Sequence, residues 1–360
     1  MRIGLVAMWA NRGQGIIARQ VREILDQAGH ETFVLARPVQ SISPLPHRID
    51  LRPEWQEPGV TVASANRIPL EEYLDWADAT GIEVLLADQN AQYDEIGRLR
   101  AGGIRTVGRF VWERFGEKDV DGALEAYETV YSMTRAEQAR YRTLFGIETP
   151  LVRYGIHPSL IDRAAPKRSG PLTFIFHGGL QGARKPIEAT IEAFRRVERD
   201  DIRLIVKSQA VKAASEDVAA AAGGDPRIEH VVEDLAGEEY LEFTSSCHVC
   251  LTPTRWEGLG VWIYEALGFG QPVISTAIPP VDEVVHHGVN GLLARATEIG
   301  QKKRGVPSYD PDVGHLASLI AELADRDRLD EMVATLRDDR SRLSWEHTRG
   351  DYLELVEGHS

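Results

Sequence analysis

Positive charge and cysteine are both scarce in this sequence. Against 55 Asp and Glu stand only 41 Lys and Arg, a formal net charge of −14. Nucleic acid and anionic lipid are therefore repelled at long range, which excludes a large phosphate-binding face and leaves room only for a local basic patch. Neither half escapes the deficit: about −4 falls in residues 1–160 and about −10 in the remainder. The two cysteines, Cys247 and Cys250, are spaced Cys-x-x-Cys but run into an apolar strand. Such a pair gains redox reactivity at an exposed helix N-terminus, so these read as buried core residues, and no second ligand pair at zinc spacing accompanies them. Long apolar runs are also missing, none approaching the roughly 20 residues of a membrane span. Met1 to Ala10 is followed at once by Asn11-Arg12-Gly13 and reads as a first buried strand rather than a signal peptide. The expected location is the cytoplasm.

What is present is a regular alternation of short apolar runs and amphipathic segments, the pattern of parallel sheets with crossover helices. At 360 residues the chain exceeds one ordinary core and fits two domains. Strands are expected at 2–9, 31–36, 84–87, 105–110 and 129–132, with helices at 15–28, 70–80, 94–101 and 135–145. Proline, glycine and charge then replace the pattern from Ile156 to Pro171, as in a linker. The alternation restarts with strands at 172–176, 202–206, 228–232, 249–252 and 272–275 and helices at 186–197, 215–222 and 237–245. The expected division is a first doubly wound domain over 1–158, a linker over 159–171, a second such domain over 172–342, and a final segment over 343–360. Gln301 to Pro307 reads as an exposed basic loop, solvated or in contact with an anionic acceptor.

Three constellations carry chemistry. In the segment Arg255-Trp-Glu-Gly-Leu-Gly-Val-Trp-Ile-Tyr-Glu265, Glu257 and Glu265 flank a glycine-punctuated turn into a helix. Gly258 and Gly260 let backbone amides approach a ligand, and carboxylates accept from hydroxyls, so a polyhydroxylated anion suits the site. The second is Phe176-His-Gly-Gly-Leu-Gln-Gly-Ala-Arg-Lys-Pro-Ile187, where Gly178 and Gly179 open the backbone and Arg184 and Lys185 stand at a helix start. Adjacent cations there oppose the helix dipole unless an anion faces them, and a pyrophosphate is such an anion. The third is Gly13-Gln14-Gly15, at the carboxyl end of the first strand, which either approaches a ligand or merely closes its turn.

In this order the features resemble the retaining glycosyltransferases of family 4. The resemblance also takes in Val152-Arg-Tyr-Gly-Ile-His-Pro158, Gly270-Gln-Pro-Val-Ile-Ser275, Glu283-Val-Val-His-His-Gly-Val-Asn-Gly-Leu-Leu293 and Leu343-Ser-Trp-Glu346. It implies an α/β GT-B fold: two Rossmann-like doubly wound domains facing an interdomain cleft, with a C-terminal helix crossing back to the first. The implied activity moves a hexosyl group from a nucleoside-diphosphate sugar, UDP or GDP type undecided, to a hydroxyl acceptor such as a small metabolite, glycan or secondary metabolite. By the same resemblance Arg184 and Lys185 hold the diphosphate and stabilise the leaving group. Glu257 contacts sugar hydroxyls, Gly258, Leu259 and Gly260 present amides, Glu265 binds the ribose, and no metal or other cofactor is required. A nucleotide-sugar epimerase of the same architecture and a non-catalytic nucleotide-sugar-binding protein are the alternatives.

The chain departs from the family pattern in several places. Where many relatives carry a histidine it has Gly108 to Glu113, after a strand ending Asp88-Gln-Asn90, which leaves Asn90, Arg109 or Glu113 to orient the acceptor. Lys207 stands where a glycine loop is usual and either contacts phosphate or base or caps a strand end. His177, at the donor-side turn, is either a donor contact or structural. The expected partners are the donor and the acceptor, with no nucleic acid and no integral membrane association; the oligomeric state is left open.

Overall fold

A computed structural model describes residues 1–38, 50, 52–162, 164–179, 182–209, 212–235 and 237–358. Leu180 and Gln181 of the double-glycine turn, Arg163 of the linker and the last two residues of the 343–360 segment lie outside the described residues. The chain forms two compact units, one of Met1–Tyr154 with Thr348–Ser360 and one of Gly155–His347.

The first unit is built on six parallel strands: β1 (Arg2–Met8), β2 (Glu31–Arg37), β3 (Val60–Val62), β4 (Val84–Asp88), β5 (Arg105–Arg109) and β6 (Thr129–Tyr131). Their spatial order is β3-β2-β1-β4-β5-β6. β1 is buried on both faces, which is why it reads as a continuous apolar run rather than an alternation. Strand β3 and the helix Glu117–Ala126 are additions to the sequence reading. Val-Thr-Val is too short to show a period, and the helix owes its start to Asp119, whose carboxylate accepts from the Gly116 N–H at 3.0 Å. The C-terminal residues pack into this unit: Arg105 donates to the carbonyls of Val356 and Leu355, each at 2.7 Å, and Arg153 Nε pairs with Asp351 at 2.8 Å.

The second unit has its own parallel sheet of β7 (Leu172–Gly179), β8 (Ile202–Ser208), β9 (Ile228–Val232), β10 (Val249–Leu251), β11 (Val273–Thr276) and β12 (Gly291–Ala294). The order is β12-β11-β10-β7-β8-β9. Phe174, Phe176, Ile191, Phe194, Leu204, Val206, Leu316 and Ile320 form its core and are almost fully buried; side chains of this kind contribute roughly 1.5–3 kcal/mol each on burial. Pro158–Asp162, across the start of the expected linker, is a helical turn. The stretch 301–307 is not a loop but the turn of a hairpin, β13 (Ala296–Lys302) and β14 (Val306–Pro311), which make a two-stranded antiparallel sheet of their own. β13 is exposed along nearly its whole length and so carries no apolar face that a sequence pattern reveals. Cys247 and Cys250 are buried and unbridged, and burial pushes their thiols up to about 11 and about 12. Among the described residues no helix is long and apolar enough to cross a membrane.

Candidate active site

In the second sheet β7 leads on to β8 and β9 on one side, while β10 leads on to β11 and β12 on the other, so the strand order reverses between β7 and β10. Open α/β sheets take their ligands at the carboxyl ends of strands beside such a reversal. The Arg184–Lys185 turn follows β7 and the Glu257 loop follows β10. The two are tied directly, the Arg255 N–H donating to Arg184 O at 2.8 Å and the Thr254 hydroxyl to the same carbonyl at 3.4 Å.

Glu257 is the centre of this junction. Its carboxylate accepts from the Gly258 N–H at 3.0 Å and from Trp262 Nε1 at 3.1 Å, and it faces Arg184 Nη1 at 3.3 Å and Lys185 Nζ at 3.8 Å. Burial pushes the carboxyl up, but the two cations and the two hydrogen bonds outweigh it and hold Glu257 below the usual range. Arg184 is partly exposed, whereas the Lys185 side chain is 7% exposed. Burial, only partly offset by Glu257, pulls the Lys185 amine down to about 8. Its Nζ lies 4.7 Å over the Trp262 ring and has no hydrogen-bond partner among the described residues. The anion facing the cation pair is thus in part the protein's own carboxylate, and the Gly258 amide expected to face a sugar is engaged by Glu257. Gly260 caps the following helix, Val261–Gly268, at φ +78°, where a Cβ would come within 2.8 Å of Ile263 Cδ1 and 3.3 Å of Glu257 Cγ; only glycine fits. Leu259, between the glycines, is buried.

Glu265, just over one turn into that helix, accepts from the Tyr240 hydroxyl at 2.8 Å. Burial pushes its carboxyl up to about 7. Gly178 and Gly179 close β7, and His177 before them donates its N–H to Thr252 Oγ1 at 3.2 Å. Burial, with Lys185 and Lys207 nearby, pulls the imidazole down to about 3, so the ring is neutral at physiological pH. Lys207 takes the capping alternative: buried at the end of β8, its amine donates to the carbonyls of Glu233 and Ser208.

In the first unit the strand order likewise reverses between β1 and β4, and Gly13, Gln14 and Gly15 follow β1. Gly13 is exposed and Gln14 half-buried. Gly15 serves its own turn, because a Cβ there would meet the Ala10 carbonyl oxygen at 2.0 Å. Two of the three acceptor candidates are buried. Asn90 has no exposed surface and is spent on Tyr73 Oη at 2.7 Å and the Gln92 N–H at 3.0 Å. Arg109, 2% exposed, pairs with Asp88 at 3.0 Å inside the unit. Glu113 is half-buried. An interior carboxylate beside this pair, Glu137, is pushed up to about 7 by burial despite accepting from the Trp112 and Met133 N–H groups.

Sequence reasoning passes over Trp262, Tyr240 and Arg255, which hold the carboxylates and turns in place. Trp262 lies five residues after Glu257 and looks like another apolar helix residue; its N–H and ring face acquire partners only in the fold.

Residues 171–302 match the family model of group 1 glycosyl transferases. The match spans the Arg184–Lys185 turn and the Glu257 loop. A stretch of 57 residues is 37% identical to an uncharacterized glycosyltransferase of Methanocaldococcus jannaschii and covers 16% of each protein. Among solved structures, sucrose-phosphate synthase from Thermosynechococcus elongatus is 19% identical, with 99% of this chain and 98% of that one covered and a TM-score of 0.73. HepE of Anabaena, solved with UDP and glucose, is 14% identical over 100% of both chains with a TM-score of 0.72. AviGT4, a glycosyltransferase involved in avilamycin A biosynthesis, is 18% identical over 100% and 99% with a TM-score of 0.63. The two six-stranded parallel units match these proteins in their GT-B fold.

Proposed function

We propose that the protein is a retaining, metal-independent glycosyltransferase that moves a hexosyl group from a nucleoside-diphosphate sugar to a hydroxyl acceptor. The observation that carries this reading is the buried Lys185 ammonium, which lacks a hydrogen-bond acceptor among the described residues and stands beside Arg184 at the β7–β10 reversal. A buried ammonium held only by a carboxylate at 3.8 Å and a ring face is poorly satisfied, and a diphosphate oxygen supplies what it lacks. Breaking the anomeric bond loads negative charge on the departing phosphate, where a preorganised cation pair stabilises it more in the transition state than in the ground state. Glu265, with its proton affinity raised by burial, suits hydrogen bonding to ribose hydroxyls. HepE, with its bound UDP, makes a UDP sugar the first donor to try.

Thermal unfolding in the presence of UDP-, GDP- and ADP-hexoses tests the donor. The matching nucleotide at about a hundred times its Kd stabilises by roughly 2.7 kcal/mol and raises the midpoint measurably. With that donor labelled in the sugar, label is expected to leave the nucleotide with its anomeric configuration retained, read by NMR. A panel without a single stabilising nucleotide, or label that stays on the nucleotide as an epimer, would reject the reading.

The pH dependence of nucleotide binding follows from Lys185. Its amine titrates at about 8 in the free protein, and a bound diphosphate favours the ammonium and raises that value. Affinity for the nucleoside diphosphate is therefore highest below about pH 7 to 8 and falls as pH rises through the free-protein value, by up to about tenfold per unit, with proton uptake on binding. Calorimetry between pH 7 and 9.5 in buffers of different ionisation enthalpy measures both. Flat affinity with no proton uptake would place Lys185 away from the ligand.

A further inference from the structure

Arg255 lies two residues before Glu257, and its guanidinium joins parts of the second unit that are distant in sequence. Nη1 donates to the Ala183 carbonyl at 2.9 Å and Nε donates to Asp310 Oδ1 at 2.5 Å. Ala183 belongs to the turn that delivers Arg184 and Lys185, and Asp310 belongs to β14 of the hairpin. The hairpin makes two further contacts with the same segment, the Tyr309 N–H donating to Arg255 O at 3.0 Å and Lys302 Nζ lying 5.4 Å over the Trp256 ring. Two residues on, the chain delivers Glu257.

As a source of stability the Arg255–Asp310 pair is weak, since its side chains are 26% and 44% exposed and pairs of that kind contribute about 0–1 kcal/mol. Its value lies in direction. A guanidinium is a rigid planar fork, so the carboxylate that orients Nε also fixes the line along which Nη1 meets Ala183 O. A lysine carries the same charge without the fork. Catalytic groups need to be held to within about 0.5 Å by partners that are themselves fixed, and the cation turn receives such a partner from a hairpin outside the main sheet.

We propose that Arg255 is a positioning residue, and that the hairpin, through Asp310, holds Arg184 and Lys185 in register with Glu257. The inference rests on the reading of that cation pair as the diphosphate ligand, and it adds the hairpin as the element that tunes it. A change at the hairpin base then alters leaving-group affinity without touching any residue that meets the nucleotide.

Asp310→Ala, Asp310→Glu and Arg255→Lys in the full chain test this, with hydrogen exchange, thermal unfolding and calorimetric titration of UDP and GDP as readouts. Asp310→Ala and Arg255→Lys are expected to speed exchange about tenfold in the segments 183–187 and 254–258 alone. They should weaken UDP or GDP binding about five- to tenfold while moving the unfolding midpoint by no more than about 2 °C. Asp310→Glu should restore both exchange and affinity. Unchanged local exchange overturns the proposal whatever the nucleotides do, and so does faster exchange with unaltered UDP or GDP affinity. A general rise in exchange with a large fall in midpoint also overturns it, because the pair would then be merely structural. If local exchange rises but the unaltered chain binds neither UDP nor GDP, the mechanical link stands and the diphosphate reading falls.

Discussion

Lys185→Ala is expected to lower kcat/KM for hexosyl transfer by about 10²- to 10³-fold, a transition-state loss of roughly 2.7–4 kcal/mol of the size seen when one preorganised electrostatic group is removed. Folding should barely register the change. The ammonium is buried against the Glu257 carboxylate and the face of Trp262, so its removal relieves a desolvation cost as it loses a Coulombic partner, and the two largely cancel. Glu257 keeps Arg184, the Gly258 N–H and Trp262 Nε1. Steady-state kinetics beside chemical denaturation separate the effects. Lys185→Met, which preserves the side-chain volume, should match the alanine variant in rate. An unchanged rate would remove the lysine from leaving-group stabilisation, and a collapse of stability would assign it to the fold.

Glu257→Ala should act the other way round, with stability falling first. The carboxylate is 4% exposed and faces two cations and two N–H donors. Removing one member of a buried pair typically costs about 3–5 kcal/mol, because the remaining charge is left without compensation. Transfer activity should fall below detection in the same variant. The double variant Glu257→Ala/Lys185→Met distinguishes lost pairing from lost packing: it should recover most of the stability, since no buried cation remains unpaired, and none of the activity. If the double variant is no more stable than Glu257→Ala, the carboxylate acts through packing and its hydrogen bonds to Gly258 and Trp262 rather than through charge.

Much of the architecture can be read from local pattern. Leu172 to Gly179, Ile202 to Ser208 and Val249 to Leu251 are apolar runs bounded by turn residues, and each is a parallel strand. The helices Val313–Ala324 and Arg326–Asp339 carry buried apolar stripes at helical spacing and are passed over, whereas two of the elements left unread have no pattern to give. β3 is three residues long, and β13 is a solvent-facing ribbon whose seven residues show no apolar alternation. At the site, strand–turn–helix logic places Arg184, Lys185 and Glu257 at carboxyl ends of one sheet, and burial determines the rest. Lys207 and Asn90 stand at the ends of strands where ligands bind, yet their polar atoms are spent on Glu233 O, Ser208 O, Tyr73 and Gln92.

A single strand of letters suffices for the repeating physics of this chain: its two sheets, their crossover helices, its acidity, and the turns where cations and carboxylates emerge. Each of these depends on neighbours a few positions away. Which of those groups meet is another matter, because Arg184 and Glu257 are 73 positions apart and Arg255 and Asp310 are 55. No local period encodes such a distance. The reversal of strand order between β7 and β10 brings the first pair together, the packing of a hairpin against Arg255 makes the second, and burial turns Lys185 from a surface cation into one in need of an anion.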